Sequence, residues 1–469
     1  MELWSAWSRA VRNLRPACRR TRTFLWLVLA LMGMCCRMDL AGVTSFVRVL
    51  RLKPAAYPRF LGLFHSKALD LDLLTSCWIR LALSLFTPYE AGGRLVLIAD
   101  GIKAAKEGRK MPGVKSLHQE SGSNAKAEYI MGHSLQAVSL LVRGLGGHVA
   151  AVPLVSRIHE GLVFTNRDHR TLMDKLVALL RTVTGACERN ILLVADAAYF
   201  NRSIIQPLAA KGHHLVSRAR NNTVAYLPPE QPARRGKGRP RIYGARAALK
   251  DLARDKDAFT SAPSPVYGEA DVMIRYRCLD LLWKPVGRMV RFVLVHHPVR
   301  GTIFLVSSDL TLEPLEIVQL YGHRFKIEAG FRQAIHVLAT YGYHFWMMAM
   351  KPLRRGGGDQ HLHHASDEYR DGVRRKVLAY HRYLQVGCIA QGLLLHLSQN
   401  HTAAVWHAFR SWLRTMNPGL PPSELVVAHA VRSGIPGFFA SRLLDPGMRK
   451  MLKPFRDTAG ALAPGEWAA

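Results

Sequence analysis

The sequence contains few acidic residues, no paired-cysteine motif and no long apolar run. Its seven cysteines are scattered, and none forms a C-x-x-C pair. An odd, unpatterned set of this kind argues against a disulfide framework and a zinc finger, and it fits a reducing cytosol. The longest apolar run covers residues 24–36, which is shorter than the roughly 20 residues that a membrane span needs. We therefore expect no membrane as a partner.

The apolar run at 24–36 follows Arg19, Arg20 and Arg22, an order that imitates a signal peptide. No small-x-small cleavage pattern follows closely, because Arg37, Met38 and Asp39 come next. We interpret the run as a buried helix of a helical domain, with a signal or anchor as the alternative.

The shortage of acidic residues is the strongest signal in the composition. The chain has 33 acidic against 65 basic residues, a net charge of +32. Such an excess, spread over the whole chain, indicates a polyanionic partner such as nucleic acid. A basic membrane-surface protein is the alternative. Apolar residues make up 49% of the chain, enough for a sizeable core, so global disorder is excluded.

Apolar patterning divides the 469 residues into five parts. Residues 1–88 read as helices punctuated by basic residues and proline, a module suited to DNA binding or to plain packing. Residues 89–220 alternate short apolar runs with two amphipathic helices. Residues 221–312 form a β-rich insertion, residues 313–400 return to helices, and 401–469 form a helical tail.

Within 89–220 the predicted strands are 95–99, 131–142, 147–155, 191–196 and 214–218. Helices are predicted at 168–183 and 202–210. Three meandering strands, a helix, a strand, a helix and a strand describe a ribonuclease-H-like α/β sheet. Asp100 ends the first apolar run and Asp196 ends the fourth. A strand's carboxyl end is a position from which such side chains can reach a ligand.

The insertion opens with a polar, proline- and glycine-rich loop at 228–243. Its Arg239 and Arg241 lie in a sequence that resembles an AT-hook, a strip that binds the minor groove. A solvated loop with general phosphate affinity is the preferred alternative.

One helix carries the remaining candidates. Tyr321, Arg324, Glu328 and Arg332 recur at steps of three and four, so they share one helix face. A solvated helix can show the same spacing. Together with Asp100 and Asp196, however, Glu328 completes a set of hard oxygen ligands that suits a pair of divalent metal ions.

These residues, in this order, resemble the DDE transposases of bacterial insertion sequences, and most closely the insertion-sequence-four type. That group has a Tyr-x2-Arg-x3-Glu-x6-Lys signature and a β-rich insertion before the Glu. The resemblance covers about 90–400. In one departure, Ile335 stands where the signature has its Lys; Arg332 or His336 is the candidate replacement for that charge.

The resemblance implies metal-dependent cleavage at transposon ends and strand transfer into target DNA. Two Mg²⁺ ions, or Mn²⁺ in their place, would be held by Asp100, Asp196 and Glu328, with Asp100 between the ions. Tyr321, Arg324 and Arg332 would contact DNA phosphates, and Trp283 is a candidate for stacking on a flipped base, with a core role as its alternative. A homodimer on double-stranded DNA, in the bacterial cytoplasm and nucleoid, would follow.

Two other interpretations stay open. Ile335 leaves room for a catalytically decayed, DNA-binding relative. A structure-selective nuclease of the same fold, without strand transfer, would also have these carboxylates.

Overall fold

A computed structural model describes residues 1–119, 127–229, 241–266, 268–269, 271–412 and 416–456. The first part is helical, as predicted: α1 Glu2–Arg12, α2 Thr21–Cys36, α3 Val43–Val49, α4 Tyr57–His65 and α5 Leu71–Leu85. Every residue from Leu25 to Cys36 is buried, which confirms the buried helix predicted there. No helix among the described residues combines the length and apolarity needed to cross a membrane.

The central part of the chain is a mixed sheet with two helices on it. Its elements are β1 Thr87–Pro88, β2 Glu90–Ala91, β3 Arg94–Ala105, β4 Lys115–His118, β5 Tyr129–Arg143, β6 Val149–Ile158, β7 Leu162–Val163, α6 Leu172–Cys187, β8 Ile191–Ala195, α7 Arg202–Ala209 and β9 His214–Arg218. Strands β6, β5, β3, β8 and β9 lie side by side in that order. The first three are antiparallel, and β3, β8 and β9 are parallel. This arrangement confirms the predicted ribonuclease-H-like α/β class.

The strands of the insertion extend this same sheet. They are β10 Val224–Tyr226, β11 Arg246–Ala248, β12 Thr260–Pro263, β13 Met273–Trp283, β14 Arg288–His297 and β15 Gly301–Ser307, with α8 Leu249–Leu252 between β11 and β12. Strand β15 pairs antiparallel with β9. The backbone hydrogen bonds therefore continue from the ribonuclease-H-like strands into the insertion, so the edge at β9 is covered.

Helices dominate the rest of the chain. They are α9 Pro314–His323, α10 Phe325–His336, α11 Asp367–Asn400, α12 Thr402–Ala408, α13 Glu424–Ser433, α14 Ile435–Ala440 and α15 Pro446–Leu452, and β16 Gln360–His361 pairs with β7. With 34 residues, α11 is about 50 Å long at 1.5 Å per residue.

Apolar residues of β3 are buried on both faces of the sheet. Leu95, Leu97 and Ala99 belong to the core shared with α5, α6 and α11, whereas Val96 and Ile98 pack against α9. Successive side chains on a strand point to opposite faces. A continuous apolar run is therefore what a strand with helices on both sides requires.

Helix α11 joins the N-terminal helices to the sheet. Gly392 allows a very close approach to α5, since a Cβ atom at this position would lie 2.2 Å from the ring of Trp78. Trp78 is fully buried and donates a hydrogen bond from its indole nitrogen to the carbonyl of Pro153 on β6, at 2.9 Å. The N-terminal helices, α11 and the sheet thus share one core.

A buried histidine in this core predicts sensitivity to acid. His133 is 2% exposed, and its Nε2 lies 2.9 Å from the carbonyl oxygen of Pro112. Burial, reinforced by the charge of Lys106, lowers the pKa of His133 to about 3. Its imidazole binds a proton in the unfolded chain below about pH 6.5 but not in the folded one, so stability must fall as the pH decreases from 6.5 towards 3.

We expect the His133→Gln variant, which keeps a hydrogen-bond donor but does not titrate, to show a weaker loss. The difference in the slope of unfolding free energy against pH should be roughly 1.4 kcal/mol per pH unit. Chemical denaturation between pH 7 and 4.5 measures it. Equal slopes for the two proteins would show that His133 is protonated in the folded state.

Candidate active site

The register of two parallel strands places Asp100 next to Asp196. Ala99 of β3 is paired with Ala195 of β8, and an aspartate follows each of them. Val96, Ile98 and their counterparts in β8 face α9. By the two-residue alternation of a strand, Asp100 and Asp196 belong to that same face.

The prediction that Asp100 lies at the end of a strand was wrong. Strand β3 continues to Ala105, and Asp100 is paired with Ala137 of β5. Only Asp196 follows the end of its strand. Because β8 stops at Ala195 while β3 continues, the side chain of Asp100 borders the space that opens where β8 ends.

The helix predicted through Tyr321 and Arg332 is two helices that meet at Arg324. The N–H of Arg324 donates to the carbonyl of Tyr321 at 3.1 Å, and the N–H of Ile327 donates to that of Arg324 at 3.2 Å. These three-residue hydrogen bonds tighten the backbone at the junction. Glu328 lies in the first turn of α10.

The guanidinium of Arg324 connects two of the three candidate carboxylates. Its Nη1 lies 3.0 Å from Oδ2 of Asp100, and its Nη2 lies 2.8 Å from Oε1 of Glu328. The side chains of Arg324 and Asp100 are about one-fifth exposed, and that of Glu328 is 42% exposed. Helix α10 is thereby held against β3, with Glu328 the most accessible of the pair.

Asp196 approaches the same site through Tyr321. The hydroxyl of Tyr321 donates to Oδ1 of Asp196 at 3.4 Å, a long hydrogen bond. The main-chain carbonyl of Asp196 accepts a hydrogen bond from Ser217 on β9 at 2.8 Å, which fixes the backbone after β8. Burial, together with the charge of Asp196, raises the pKa of Tyr321, so its hydroxyl remains a donor at neutral pH.

The charges of the site act on Asp100. Burial raises the pKa of its carboxyl group, and the negative charges of Glu328 and Asp196 raise it further, against the opposing effects of Arg324 and the N–H of Gly101. Burial favours the neutral form of Arg324, but Asp100 and Glu328 outweigh burial and raise its pKa. Arg324 therefore supplies the positive charge between the carboxylates of Asp100 and Glu328.

Two polar residues that the sequence analysis did not identify support the main chain of Asp100. Gln136 of β5 donates to the main-chain carbonyl of Asp100 at 3.0 Å, and the hydroxyl of Tyr199 donates to Oε1 of Gln136 at 3.0 Å. Burial raises the pKa of Tyr199 to about 12. The available signal was a buried glutamine in the middle of β5, flanked by Leu135 and Ala137.

The other predicted DNA contacts lie in different settings. Arg332, Ile335 and Arg241 are exposed, whereas Arg239 lies outside the described residues. Trp283 is 8% exposed, and its ring is stacked on that of Phe200 with centroids 3.9 Å apart. This packing favours the core role that was the alternative for Trp283, because one face of its ring is covered by Phe200.

The sequence matches the DDE superfamily endonuclease family over residues 13–264, which is more than half of the chain. The chain belongs to the DDE superfamily of endonucleases. The matched segment of this endonuclease includes Asp100 and Asp196, together with most of the N-terminal helices, and ends before Arg324 and Glu328. No curated protein matches the chain.

DDE endonucleases act on DNA and generally use divalent metal ions. The donor chemistry of this site fits such ions, since carboxylate oxygens surround a position that already attracts a cation. The spacing of the carboxylate groups, however, does not match that of a metal site. Within the described part of the endonuclease, no group of three or more His, Cys, Asp or Glu side chains is arranged to hold a metal ion. Asp100 and Glu328 are spaced around the guanidinium of Arg324.

Proposed function

We propose that this DDE endonuclease is a transposase that cleaves DNA at the ends of a mobile element and joins the freed 3′ ends to target DNA. The observation that carries the proposal is the meeting of Asp100 and Glu328 on the guanidinium of Arg324, across 224 and 4 residues of sequence. The pairing of Ala99 with Ala195 supports the inclusion of Asp196, which follows Ala195 as Asp100 follows Ala99. Membership of the DDE superfamily of endonucleases supports the cleavage step of this proposal.

In this proposal Asp100, Asp196 and Glu328 would hold two Mg²⁺ ions, for which Mn²⁺ can substitute. When bound, the ions would activate the attacking water and stabilise the leaving 3′ oxygen. Gln136 and Tyr199 hold the backbone of Asp100 so that its carboxylate keeps one orientation. Ser217 does the same for Asp196.

The substrate is double-stranded DNA, bound chiefly through phosphates. Tyr321, Arg324 and Arg332 lie on or beside the Glu328 helix, where they can position the scissile strand. We further propose that Arg239 and Arg241, on the basic loop at 228–243, contact DNA outside the active site. Two element ends require two active sites, so the working species on DNA is a homodimer. A bacterial cytoplasmic enzyme that associates with the nucleoid fits this substrate.

Two DNA assays test the proposal. Linear duplexes made from the DNA that flanks the gene should be cut by the full-length chain at discrete positions, only when Mg²⁺ or Mn²⁺ is added. The same duplexes with pre-cut 3′ ends should become joined to a supercoiled plasmid. Gel electrophoresis of end-labelled DNA measures both reactions.

Each of the other outcomes would indicate a different function for this protein. Cutting without joining would favour a structure-selective nuclease over a transposase. Binding without cutting would favour a decayed relative, for which Ile335 in place of a lysine gives the physical motive. Cutting at full rate in a chelator would contradict the metal-dependent reaction itself.

A further inference from the structure

Arg324 has two competing tasks in the proposed reaction. Its guanidinium uses Nη1 for Asp100 and Nη2 for Glu328, at 3.0 and 2.8 Å. A bidentate contact with a DNA phosphate would use one or both of these same nitrogens, because each two-donor edge of a guanidinium includes Nη1 or Nη2. A phosphate and the two carboxylates therefore compete for its donors.

The same guanidinium also sets the spacing of the metal-binding oxygens. Asp100 and Glu328 are like charges that would repel one another without a cation between them. Among the residues that the structure describes, no metal-type grouping of carboxylates is formed, and the cation between these two is Arg324. Its nitrogens contact one oxygen of each carboxylate, Oδ2 of Asp100 and Oε1 of Glu328, so a divalent ion would compete with the guanidinium for them.

The position of Arg324 in the backbone suits a change of partner. It is the residue at which α9 ends and α10 begins, and the residue that follows it, Phe325, is 63% exposed. The side chain therefore emerges at a junction beside the surface, and one-fifth of it is exposed. A bound DNA strand can reach it without opening the core.

We propose that Arg324 exchanges ligands when the substrate binds: it pairs with Asp100 and Glu328 in the free protein and moves onto a DNA phosphate in the complex. The exchange frees both carboxylates for divalent ions. DNA and metal then bind cooperatively, and each raises the affinity of the other by the same factor. The inference rests on the proposed function, because it takes these carboxylates as the metal ligands.

Metal binding, measured apart from cleavage, tests the exchange. Free Mn²⁺ is followed by electron paramagnetic resonance during titration of the full-length chain, with and without a short linear duplex. We expect the duplex to tighten Mn²⁺ binding by about 5- to 150-fold, the usual range of coupling between two sites. Arg324→Ala should bind Mn²⁺ at least about fivefold more tightly than wild type without DNA, and the duplex should add little.

A matched control lies away from the site. Arg12 is exposed and ends α1. Arg12→Ala removes the same charge, yet it should keep the wild-type gain in Mn²⁺ affinity on adding DNA. Arg324→Gln, which retains a polar side chain, repeats the test if the alanine variant fails to fold, and the wild-type comparison needs no variant.

The possible failures are distinguishable. Equal Mn²⁺ affinity of the wild type with and without DNA, or no gain in Arg324→Ala, would overturn the exchange while leaving the metal site in place. Unchanged Mn²⁺ binding in Asp100→Ala and Glu328→Ala would instead overturn the ligand assignment, and with it the proposed function.

Discussion

Alanine in place of Asp100, Asp196 or Glu328 is expected to reduce DNA cleavage by about a thousandfold. Loss of a metal ligand removes several kcal/mol of transition-state stabilisation, and each 1.36 kcal/mol corresponds to a factor of ten in rate. DNA affinity should not fall, since none of the three side chains is a phosphate contact. Single-turnover cleavage and filter binding measure the two effects separately.

A surface carboxylate provides the control for these variants. Asp371 of α11 is 58% exposed and forms an ion pair with Arg374 one helical turn away. Asp371→Ala changes the charge by the same amount and should cleave at the wild-type rate. If any of the three site variants keeps more than a small fraction of the wild-type rate, the assignment of the metal ligands is wrong.

Raising the salt concentration is expected to weaken DNA binding by orders of magnitude. A net charge of +32 favours binding through many phosphates, and 6–10 phosphate contacts lose about 10³–10⁵ in affinity between 50 and 200 mM salt. A plot of log affinity against log salt concentration gives the number of contacts. Arg332→Ala should make its slope shallower by about one.

A flat salt profile would count against nucleic acid as the partner of this chain. Arg12→Ala is a matched comparison for Arg332→Ala, because Arg12 is also exposed but ends α1, far from Glu328 in sequence. It should leave the slope closer to that of wild type. Equal changes in both variants would mean that DNA is bound by diffuse charge, without a preferred face.

Alternation of side chains made much of the site predictable. The runs at 95–99 and 191–195 announce buried strands, and the aspartate after each run falls on the face of its even-numbered residues. That face is the one covered by α9. The helical spacing of Tyr321, Arg324 and Glu328 gave the second half of the site, because residues three and four apart share a helix face.

Other features depend on long-range packing and could not be read locally. The break at Arg324 coincides with two charge pairs, one of which reaches Asp100 on β3. The extension of the sheet through β15 required knowing that the edge of β9 is free to pair. Nothing in the sequence around Trp283 indicates its partner, Phe200, which lies 83 residues earlier in the chain. In each case the deciding contact joins residues that lie far apart in the sequence.

The shared core has a consequence for synthesis on the ribosome. The indole of Trp4 donates to the carbonyl of Val431, and Arg37 donates to the hydroxyl of Tyr383, across 427 and 346 residues. The first helices to leave the exit tunnel therefore find their partners only when nearly all of the chain has been translated, and they expose apolar surface until then. Asp100 likewise cannot form its ion pair until Arg324 has been translated. A fragment that stops before α9 lacks Arg324 and Glu328, so the candidate active site cannot form in it.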